Sequence, residues 1–556
     1  MSATFSGSRT ASYSGPLTVL AGVVIGFLAW LIPAHFESLS PGLLRAAGRD
    51  TSSVVEFGKQ LVDRERIGPA LLVRDTAREI GAPMTADLDR QLEQLQKRQP
   101  EFTAWGGWDP FLDPLFNLRA PTGRTSSTPV MTFFITQHAR DSLRRYLQTS
   151  GSFGVQAILR TARLGYKAAG LPAADQPGGQ PTDALVLLTA LLYQSDHLGP
   201  ALQRDLHALA DSALAQGDLG PLGSFYIDLL SLSRRLDWAQ LTELMGRSDS
   251  TRTVAEYAQL ARAASHEFPV IYTAALFTNS ADRVADYLLQ YGRAGAADLR
   301  LALSDGRGAV KLLISRQEPV IHTAFTWAPG ADLVLTHPRV ALGLKWLGWF
   351  VAAFLVLIGL DRWMVSPEGI TESERAAPQL RAGILAVFLT GLLVVATEPF
   401  LLKSAPSADY LPHLRLAMLV TQGPPPPSAS QIHSVSMNTS TLVTIGIFAL
   451  LQVMMYFICL QKINQIARQN VAPLLKLRLM ENEENLFDSG LYVGMMGTAA
   501  ALVLQVLGVI SPNLLAAYSS NLFGLLCVAL VKIRHVRLFK RRLILEHETG
   551  LRASPA

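Results

Sequence analysis

Six apolar segments, each close to the length that an α-helix needs to cross a lipid bilayer, constrain the fold of this chain most. A hydrocarbon core of about 30 Å takes roughly 20 apolar residues in a helix. The segments cover residues 16–33, 341–360, 382–402, 440–460, 491–510 and 514–531. Hydrophobic residues make up 49% of the chain and charged residues only 17%, a balance typical of a membrane protein with a water-soluble part. The sequence predicts an all-α, polytopic membrane protein with about six transmembrane helices.

The first apolar segment, residues 16–33, has two interpretations. A secretory signal peptide carries a basic region before its apolar run and a small-x-small cleavage site after it. Here the basic region is nearly absent, and the following LIPAHFESLS offers no clean cleavage site. We therefore interpret the segment as an uncleaved transmembrane anchor that follows a cytoplasmic N-terminus at residues 1–15.

The short loops predict the orientation, because loops rich in Lys and Arg stay on the cytoplasmic side. Three connecting regions are basic: the loops 361–381 and 461–489, and the tail 532–556. The Pro-rich loop 403–439, which joins the hairpin 341–402 to the helices in 440–531, has only Lys403 and Arg415. We expect both termini in the cytoplasm and residues 34–340 outside, which in a bacterium means a multi-pass inner-membrane protein with a periplasmic domain.

A basic cluster directly after the last apolar segment could contact either of two partners. It consists of Lys532, Arg534, Arg537, Lys540, Arg541 and Arg542. Such clusters bind nucleic acid in some proteins and anionic lipid headgroups in others. Because this one adjoins a membrane helix, we interpret it as a cytoplasmic anchor to membrane lipids and expect no nucleic-acid partner.

The large outer segment, residues 34–340, is predicted to be an α-helical domain. Its apolar residues recur at spacings of three and four, as in TVAEYAQLARAA, and Gly, Pro and Asn interrupt the runs. The apolar run DALVLLTALLY is too short to cross a membrane and is expected in the core. A stacked, solenoid-like array is one arrangement of such short helices, although no fixed repeat period is found.

We find no catalytic constellation in this domain. Acid–base or metal-binding candidates are Asp196–His197, His266–Glu267 and His138. None has a partner at helical spacing, and P-loop, Rossmann and nucleophile-elbow patterns are absent from the sequence. The aromatic stretch WGGWDPFLDP at 105–114 fits either a recognition loop or a packed loop between helices.

The two cysteines, Cys459 and Cys527, lie inside apolar segments, so neither can form a disulfide in the outer domain. The chain also lacks any Cys/His spacing typical of zinc sites. With no catalytic constellation either, we expect no enzymatic activity, no cofactor and no metal.

Small and polar residues are concentrated in the fifth and sixth apolar segments. Gly490, Gly494 and Gly497 lie at i, i+4 and i+7, so they share one helix face on which a neighbouring backbone can approach closely. The other members of this set are Thr498, Gln505, Ser519, Ser520, Asn521 and Gly524. Two interpretations are open: hydrogen-bonding glue between helices, or a polar lining shared by several copies around an axis.

The segments YVGMMGT at 492–498 and AYSSNLFGLLCVA at 517–529 resemble the last two helices of the MotA/TolQ/ExbB proton-channel family. In that family Y-V-G-[LF]-[LF]-G-T opens the penultimate helix, and the resemblance covers residues 488–540. It implies that Thr498 corresponds to a pore-facing threonine and that Asn521 stands near the position of another. It also implies a homo-oligomer and a single-span, ExbD/TolR-like partner that carries the titrating aspartate.

The chain departs from the family pattern at several places. Ala501 replaces the family's second glycine, and Ala516 stands where the last helix commonly begins with an acidic residue. The family's large cytoplasmic domain is reduced to the loop 461–489, and this chain adds a large outer domain and three further spans. The departures bear on ion conduction more than on the hairpin itself.

Another intramembrane candidate is Glu398, in ATEPF near the outer end of the third apolar segment. An acid inside a membrane helix commonly has a function. A helix-end carboxylate that reaches the interface is the alternative, because Pro399 follows directly.

The sequence thus leads to two functional expectations. The resemblance implies an inner-membrane subunit of an ion-driven transport or energy-transducing complex. The alternative is a membrane-anchored periplasmic scaffold that binds other proteins or envelope polymers and conducts nothing.

Overall fold

The computed structural model describes residues 14–118, 126–166, 168, 170–322, 328–364, 372–398, 439–469, 471–506 and 514–552. These residues form two compact units. The apolar-helix unit contains the described parts of Met1–Ser38, Trp327–Ala405 and Gln431–Ala556, and the helical domain contains the described part of Leu39–Thr326. The predicted N-terminal segment 1–15, apart from its last two residues, and the predicted outer loop 403–439, apart from its last residue, lie outside the described ranges.

Helices are numbered along the chain, and α1 (Ser14–Leu31) belongs to the apolar-helix unit. The helical domain contains α2 (Pro41–Gly48), α3 (Val54–Asp63), α4 (Ile67–Glu79), α5 (Thr85–Arg98), α6 (Pro100–Thr103), α7 (Asp113–Phe116), α8 (Val130–Phe134), α9 (Gln137–Gln148), α10 (Phe153–Arg160), α11 (Gln180–Gln194), α12 (Pro200–Gln216), α13 (Gly220–Ser233), α14 (Trp238–Met245), α15 (Thr251–Ala263), α16 (Phe268–Thr278), α17 (Ala281–Asp305) and α18 (Arg307–Arg316). The apolar-helix unit continues with α19 (Ala331–Thr336), α20 (Pro338–Met364), α21 (Glu372–Thr397), α22 (Thr439–Arg468), α23 (Pro473–Asn482), α24 (Glu484–Phe487), α25 (Ser489–Val506), α26 (Leu514–Ala529) and α27 (Arg537–Arg552). A π-helical turn, Leu530–Val536, joins α26 to α27.

The described ranges are helical and contain no β-strand, so the prediction of an all-α fold is confirmed. Local capping sets many helix starts: the side chains of Ser53, Thr136 and Ser250 each accept a hydrogen bond from a backbone N–H at the start of the next helix. Helix α11, which contains DALVLLTALLY, is buried from Thr182 to Leu192, as expected for a core helix.

Among the described residues, one helix is long and apolar enough to cross a membrane, over Pro338–Leu360 of α20. Three shorter apolar helices cover Gly15–Leu31, Phe268–Thr278 and Ala382–Val394. Of these, Phe268–Thr278 is α16, which is buried in the core of the helical domain. The number of six transmembrane helices therefore stays a prediction.

Helices α1 and α20 pack through small residues. A Cβ atom at Gly22 would lie 2.8 Å from the carbonyl oxygen of Ala352, and one at Gly26 would lie 3.3 Å from the Cβ of the same alanine. One turn further along α1, Ala29 meets Gly348, where a Cβ atom would lie 2.7 Å from the alanine side chain. The two backbones can approach this closely only because side chains are absent at these points.

In the helical domain, a buried carboxylate joins three distant segments. Asp237 caps α14 and accepts hydrogen bonds from the backbone N–H of Gln240 at 2.8 Å and from the Ser127 hydroxyl at 2.7 Å. Gly68 and Gly106 lie so close that a methyl group on either would overlap this carboxylate. Burial, partly opposed by these hydrogen bonds, raises the pKa of Asp237 to about 7.

We expect Gly106→Ala to destabilise the helical domain more than a positive φ alone would. Gly106 has φ +77° and Gly81 has φ +65°, but a Cβ atom at Gly81 meets nothing within 4 Å. Gly81→Ala should therefore cost only the left-handed backbone strain of about 1 kcal/mol. Gly106→Ala should cost about 2 kcal/mol more, because its methyl group displaces Asp237. Thermal unfolding of the full chain in detergent measures both, and equal losses would contradict the packing argument.

Candidate functional site

The predicted hairpin residues come together where α25 crosses α26. A Cβ atom at Gly494 would lie 2.9 Å from the carbonyl oxygen of Ser520 and 3.3 Å from the Cα of Gly524. A Cβ atom at Gly524 would lie 2.6 Å from the carbonyl oxygen of Gly490. A Cβ atom at Gly497 would overlap the hydroxyl oxygen of Ser520. The backbones of the two helices are thus in direct contact along the glycine face of α25.

Two hydroxyl groups converge on one carbonyl beside this contact. The Ser520 hydroxyl, which is fully buried, donates across the helix pair to the carbonyl oxygen of Gly494 at 3.1 Å. The Thr498 hydroxyl donates to the same oxygen at 3.0 Å within its own helix. Ser519 and Asn521 are half-buried beside them. Gln505 lies in α25, but its side chain is outside the described part of the chain.

A third helix adds an amide that the sequence analysis did not single out. Gln452 of α22 is 4% exposed, and its Nε2 donates to the carbonyl oxygen of Gly490 at 3.0 Å. The Oε1 atom of Gln452 and the Oδ1 atom of Asn521 are buried without a hydrogen-bond partner among the described residues. A lone amide in an otherwise apolar segment is the signal that could have found Gln452, because such a group must be satisfied inside the protein.

A second polar centre lies in the same unit around Glu398. The carboxylate is 2% exposed and accepts hydrogen bonds from the Phe36 N–H at 2.8 Å and the Ser38 hydroxyl at 3.2 Å. Lys345 of α20 is 3% exposed and donates to the carbonyl oxygen of Ala34 at 2.6 Å. Lys345 and Glu398 therefore both bind the short segment 34–38, and each charge stabilises the other.

His35 lies in the segment that Lys345 and Glu398 hold. Burial, reinforced by the charge of Lys345, lowers the pKa of His35 to about 3. The ring is therefore neutral at physiological pH. Sequence reasoning considered Glu398 alone, because neither Lys345 nor the 34–38 segment is near it along the chain.

The basic cluster is divided by its contacts. Lys532 pairs with Asp488 at 2.7 Å and with Glu484 at 3.7 Å, next to the start of α25. Four members of the cluster are exposed and Lys540 is half-buried; the exposed ones are Arg534, Arg537, Arg541 and Arg542. Nearby apolar side chains, including Ile533 and Leu538, are exposed too. This part of the chain thus offers both positive charge and apolar surface.

In the helical domain, His197 meets an acid from the aromatic stretch 105–114. Its Nε2 lies 2.7 Å from Oδ2 of Asp109, whose other oxygen accepts hydrogen bonds from the backbone N–H groups of Phe111 and Leu112. Burial opposes ionisation of Asp109, but the hydrogen bond and charge of His197, together with hydrogen bonds such as that from the Leu112 N–H, outweigh burial and lower the pKa of Asp109 to about 2. The stretch is folded around a buried carboxylate.

The remaining histidine candidates have no such setting. His138 and His266 are exposed on the domain surface. No group of three or more His, Cys, Asp or Glu side chains that could hold a metal ion occurs within the described ranges. Cys459 and Cys527 are both buried free thiols.

The chain matches no family model, no curated protein and no solved structure. It is an all-helical protein in which, among the described residues, one helix is long and apolar enough to cross a membrane.

We expect Gly494→Leu to separate α25 from α26. Any side chain at this position meets the backbone of Ser520, which cannot move away without moving the helix. Overpacking of this kind costs about 1–3 kcal/mol. Gly446→Leu in α22 is the matched control, since a Cβ atom there meets nothing within 4 Å. Thermal unfolding and particle size in detergent should change for the first variant only; an unchanged Gly494→Leu protein would contradict the close contact.

We expect the Lys345 and Glu398 charges to be coupled. Lys345→Met leaves a buried carboxylate without its neighbouring cation, and Glu398→Gln leaves a buried ammonium group without its anion. Each change should cost about 3 kcal/mol, whereas the double variant should recover part of that loss. Thermal unfolding of all four proteins in detergent measures the coupling, and Lys97→Met on the exposed surface of α5 is the control. Strictly additive losses would show that the two charges act independently.

Proposed function

We propose that this chain is an inner-membrane subunit of an ion-driven transport or energy-transducing complex, similar to MotA/TolQ/ExbB proteins. In this proposal the six apolar segments span the membrane, both termini are cytoplasmic, and residues 34–340 are periplasmic. Copies of α25 and α26 assemble around a polar axis. A single-span partner supplies the titrating acid, so neither helix needs one of its own.

The observation that carries the proposal is the polar layer where α22, α25 and α26 meet. Thr498, Ser520 and Asn521 lie there with Gln452 in helices that are otherwise apolar. Two buried amide oxygens in this layer have no partner among the described residues. An unmet acceptor in an apolar medium costs several kcal/mol, and water is the donor small enough to reach it. A hydrated polar layer is what an ion path through these helices needs.

The outward surface of the hairpin supports assembly in a membrane. Tyr492, Met496, Tyr518 and Leu522 are each more than half exposed. Lipid tails or neighbouring copies would cover such an apolar face. The exposed arginines after α26 fit the cytoplasmic headgroup layer, and membrane lipids are therefore proposed partners.

A non-conducting scaffold is the second candidate, and a specific contact favours it. Both Thr498 and Ser520 donate to the carbonyl oxygen of Gly494, which is how hydroxyl groups act as glue within and between membrane helices. In that case the hairpin anchors the helical domain, and the domain alone carries the function.

We expect Thr498→Val to preserve assembly and reduce proton or sodium flux to background, because its shape is kept while the hydroxyl is lost. Thr390→Val in α21 is the matched control, since that hydroxyl also donates to a carbonyl of its own helix, at 2.7 Å. Inverted membrane vesicles from source cells that carry each variant contain the native partner, so ion flux and oligomer size can be measured on the same material. Parent vesicles without flux above a deletion strain, or unchanged flux in Thr498→Val, would favour the scaffold.

A further inference from the structure

An arginine-rich cavity of about 390 Å³ lies inside the helical domain. Its polar lining comprises Gln60, Arg64, Arg66, Arg247, Arg307, Glu243 and Asn279. Phe57, Leu61 and Leu276 form the apolar part of the wall. Four arginines and one glutamate line the cavity, with Arg64 an exposed residue, so the lining carries an excess of positive charge.

The single carboxylate leaves part of this charge unmet. Glu243 contacts Arg247 at 2.5 Å and Arg66 at 3.8 Å. Even so, Nη1 of Arg66 and Nε of Arg247 are buried and have no hydrogen-bond partner among the described residues. A buried guanidinium donor without an acceptor is costly, and these two donors belong to neighbouring arginines of one cavity. A further anion in the cavity would satisfy these two donors.

The arginines are held by firm backbone contacts. Arg66 directly precedes α4, without a side-chain capping bond, and Arg307 is the first residue of α18, so both lie at helix N-termini, which carry partial positive charge. The Nε of Arg307 donates to the carbonyl oxygen of Phe277 at 3.1 Å, and Nη1 of Arg247 donates to the carbonyl oxygen of Glu243 at 2.6 Å. Pre-positioned guanidinium groups lose little freedom on binding.

The turn between α3 and α4 adds a local backbone constraint. Glu65, which lies between Arg64 and Arg66, has φ +59°, and Asn279, which ends α16 as its left-handed C-cap, has φ +58°. Positive φ is unfavourable for residues other than glycine, and such residues are concentrated at ligand sites. Glu65 flanks two of the arginines, and Asn279 lines the same cavity.

A smaller annex of about 200 Å³ adjoins the cavity and shares Arg66, Glu243, Arg247 and Asn279 with it. The annex extends to His197 and the exposed Asp196. A second anionic group would meet Asp196 there, whereas hydroxyl groups could hydrogen-bond to this wall. The cavity therefore suits an anionic head and the annex a neutral polar remainder.

We propose that the helical domain binds a small phosphomonoester, with its phosphate in the arginine cavity and a hydroxylated remainder in the annex. A phosphate dianion provides terminal oxygens for several guanidinium forks and balances more of the positive charge than one carboxylate does. This site is independent of ion conduction by the hairpin, so its test needs no flux measurement.

Isothermal titration calorimetry of the full-length protein in detergent tests the site, with glycerol 3-phosphate, inorganic phosphate, acetate and glycerol as probes. Glycerol 3-phosphate should bind most tightly, inorganic phosphate more weakly, and acetate and glycerol not measurably. Failure of the parent protein to bind either phosphate at millimolar concentration would overturn the proposal. Acetate binding as tightly as glycerol 3-phosphate would overturn the assignment to phosphate.

Two variants with opposite expected effects separate binding from folding. Arg66→Gln should weaken binding of glycerol 3-phosphate at least about tenfold, because a charge-assisted bidentate contact is lost. Glu243→Gln should strengthen binding, since the ligand no longer competes with that carboxylate for Arg66 and Arg247. The matched control is Arg90→Gln, whose side chain is 72% exposed on α5.

The unfolding temperature of each variant without ligand shows whether it is folded, and affinities are compared only among folded proteins. If Arg66→Gln does not fold, Arg307→Gln takes its place with the same expected loss. Equal affinities for the parent and the arginine variant, or an equal loss in Arg90→Gln, would refute the site.

Discussion

Direct contact between helix backbones at glycine is the interaction on which the apolar-helix unit depends. In the membrane setting proposed above, apolar side chains gain little by leaving lipid for a helix interface, so close van der Waals packing and polar groups hold such helices together. The structure uses the device twice: Gly22 and Gly26 bring α1 against α20, and Gly494 and Gly524 bring α25 against α26. Each contact places carbonyl oxygens where a neighbouring helix can reach them.

Close approach also determines where polar side chains can be placed. Gln452 reaches the carbonyl oxygen of Gly490 because no side chain intervenes, and Ser520 reaches that of Gly494 for the same reason. The Lys345 and Glu398 centre follows another rule, since both charges bind the short segment that follows α1. Both centres bury polar groups among apolar helices, where each must be satisfied by protein or water.

The helical domain also buries polar groups, but their hydrogen bonds are satisfied at one place and unmet at another. Asp237 is buried with its hydrogen bonds supplied by Ser127 and Gln240, and it joins three segments of the core. The arginine cavity keeps donors of Arg66 and Arg247 unmet among the described residues. A buried carboxyl group with its hydrogen bonds satisfied serves the fold, whereas the unmet donors around the cavity are those that the proposed phosphate would satisfy.

The sequence by itself determined the helical class, because apolar spacing and capping residues act within a few positions of the chain. It also placed Gly490, Gly494 and Gly497 on one helix face, because helical geometry fixes which positions share a face. Only the tertiary structure decided which helices and side chains contact one another. Gly22 and Gly26 form a small-xxx-small pattern, but the helix that they contact, α20, lies more than three hundred residues further along the chain. Lys345 and Ala34 are likewise separated by 311 positions, and His197 and Asp109 by 88. The cavity collects four arginines from three separate stretches of chain. Periodicity in one sequence carries no information about which faces of distant helices meet.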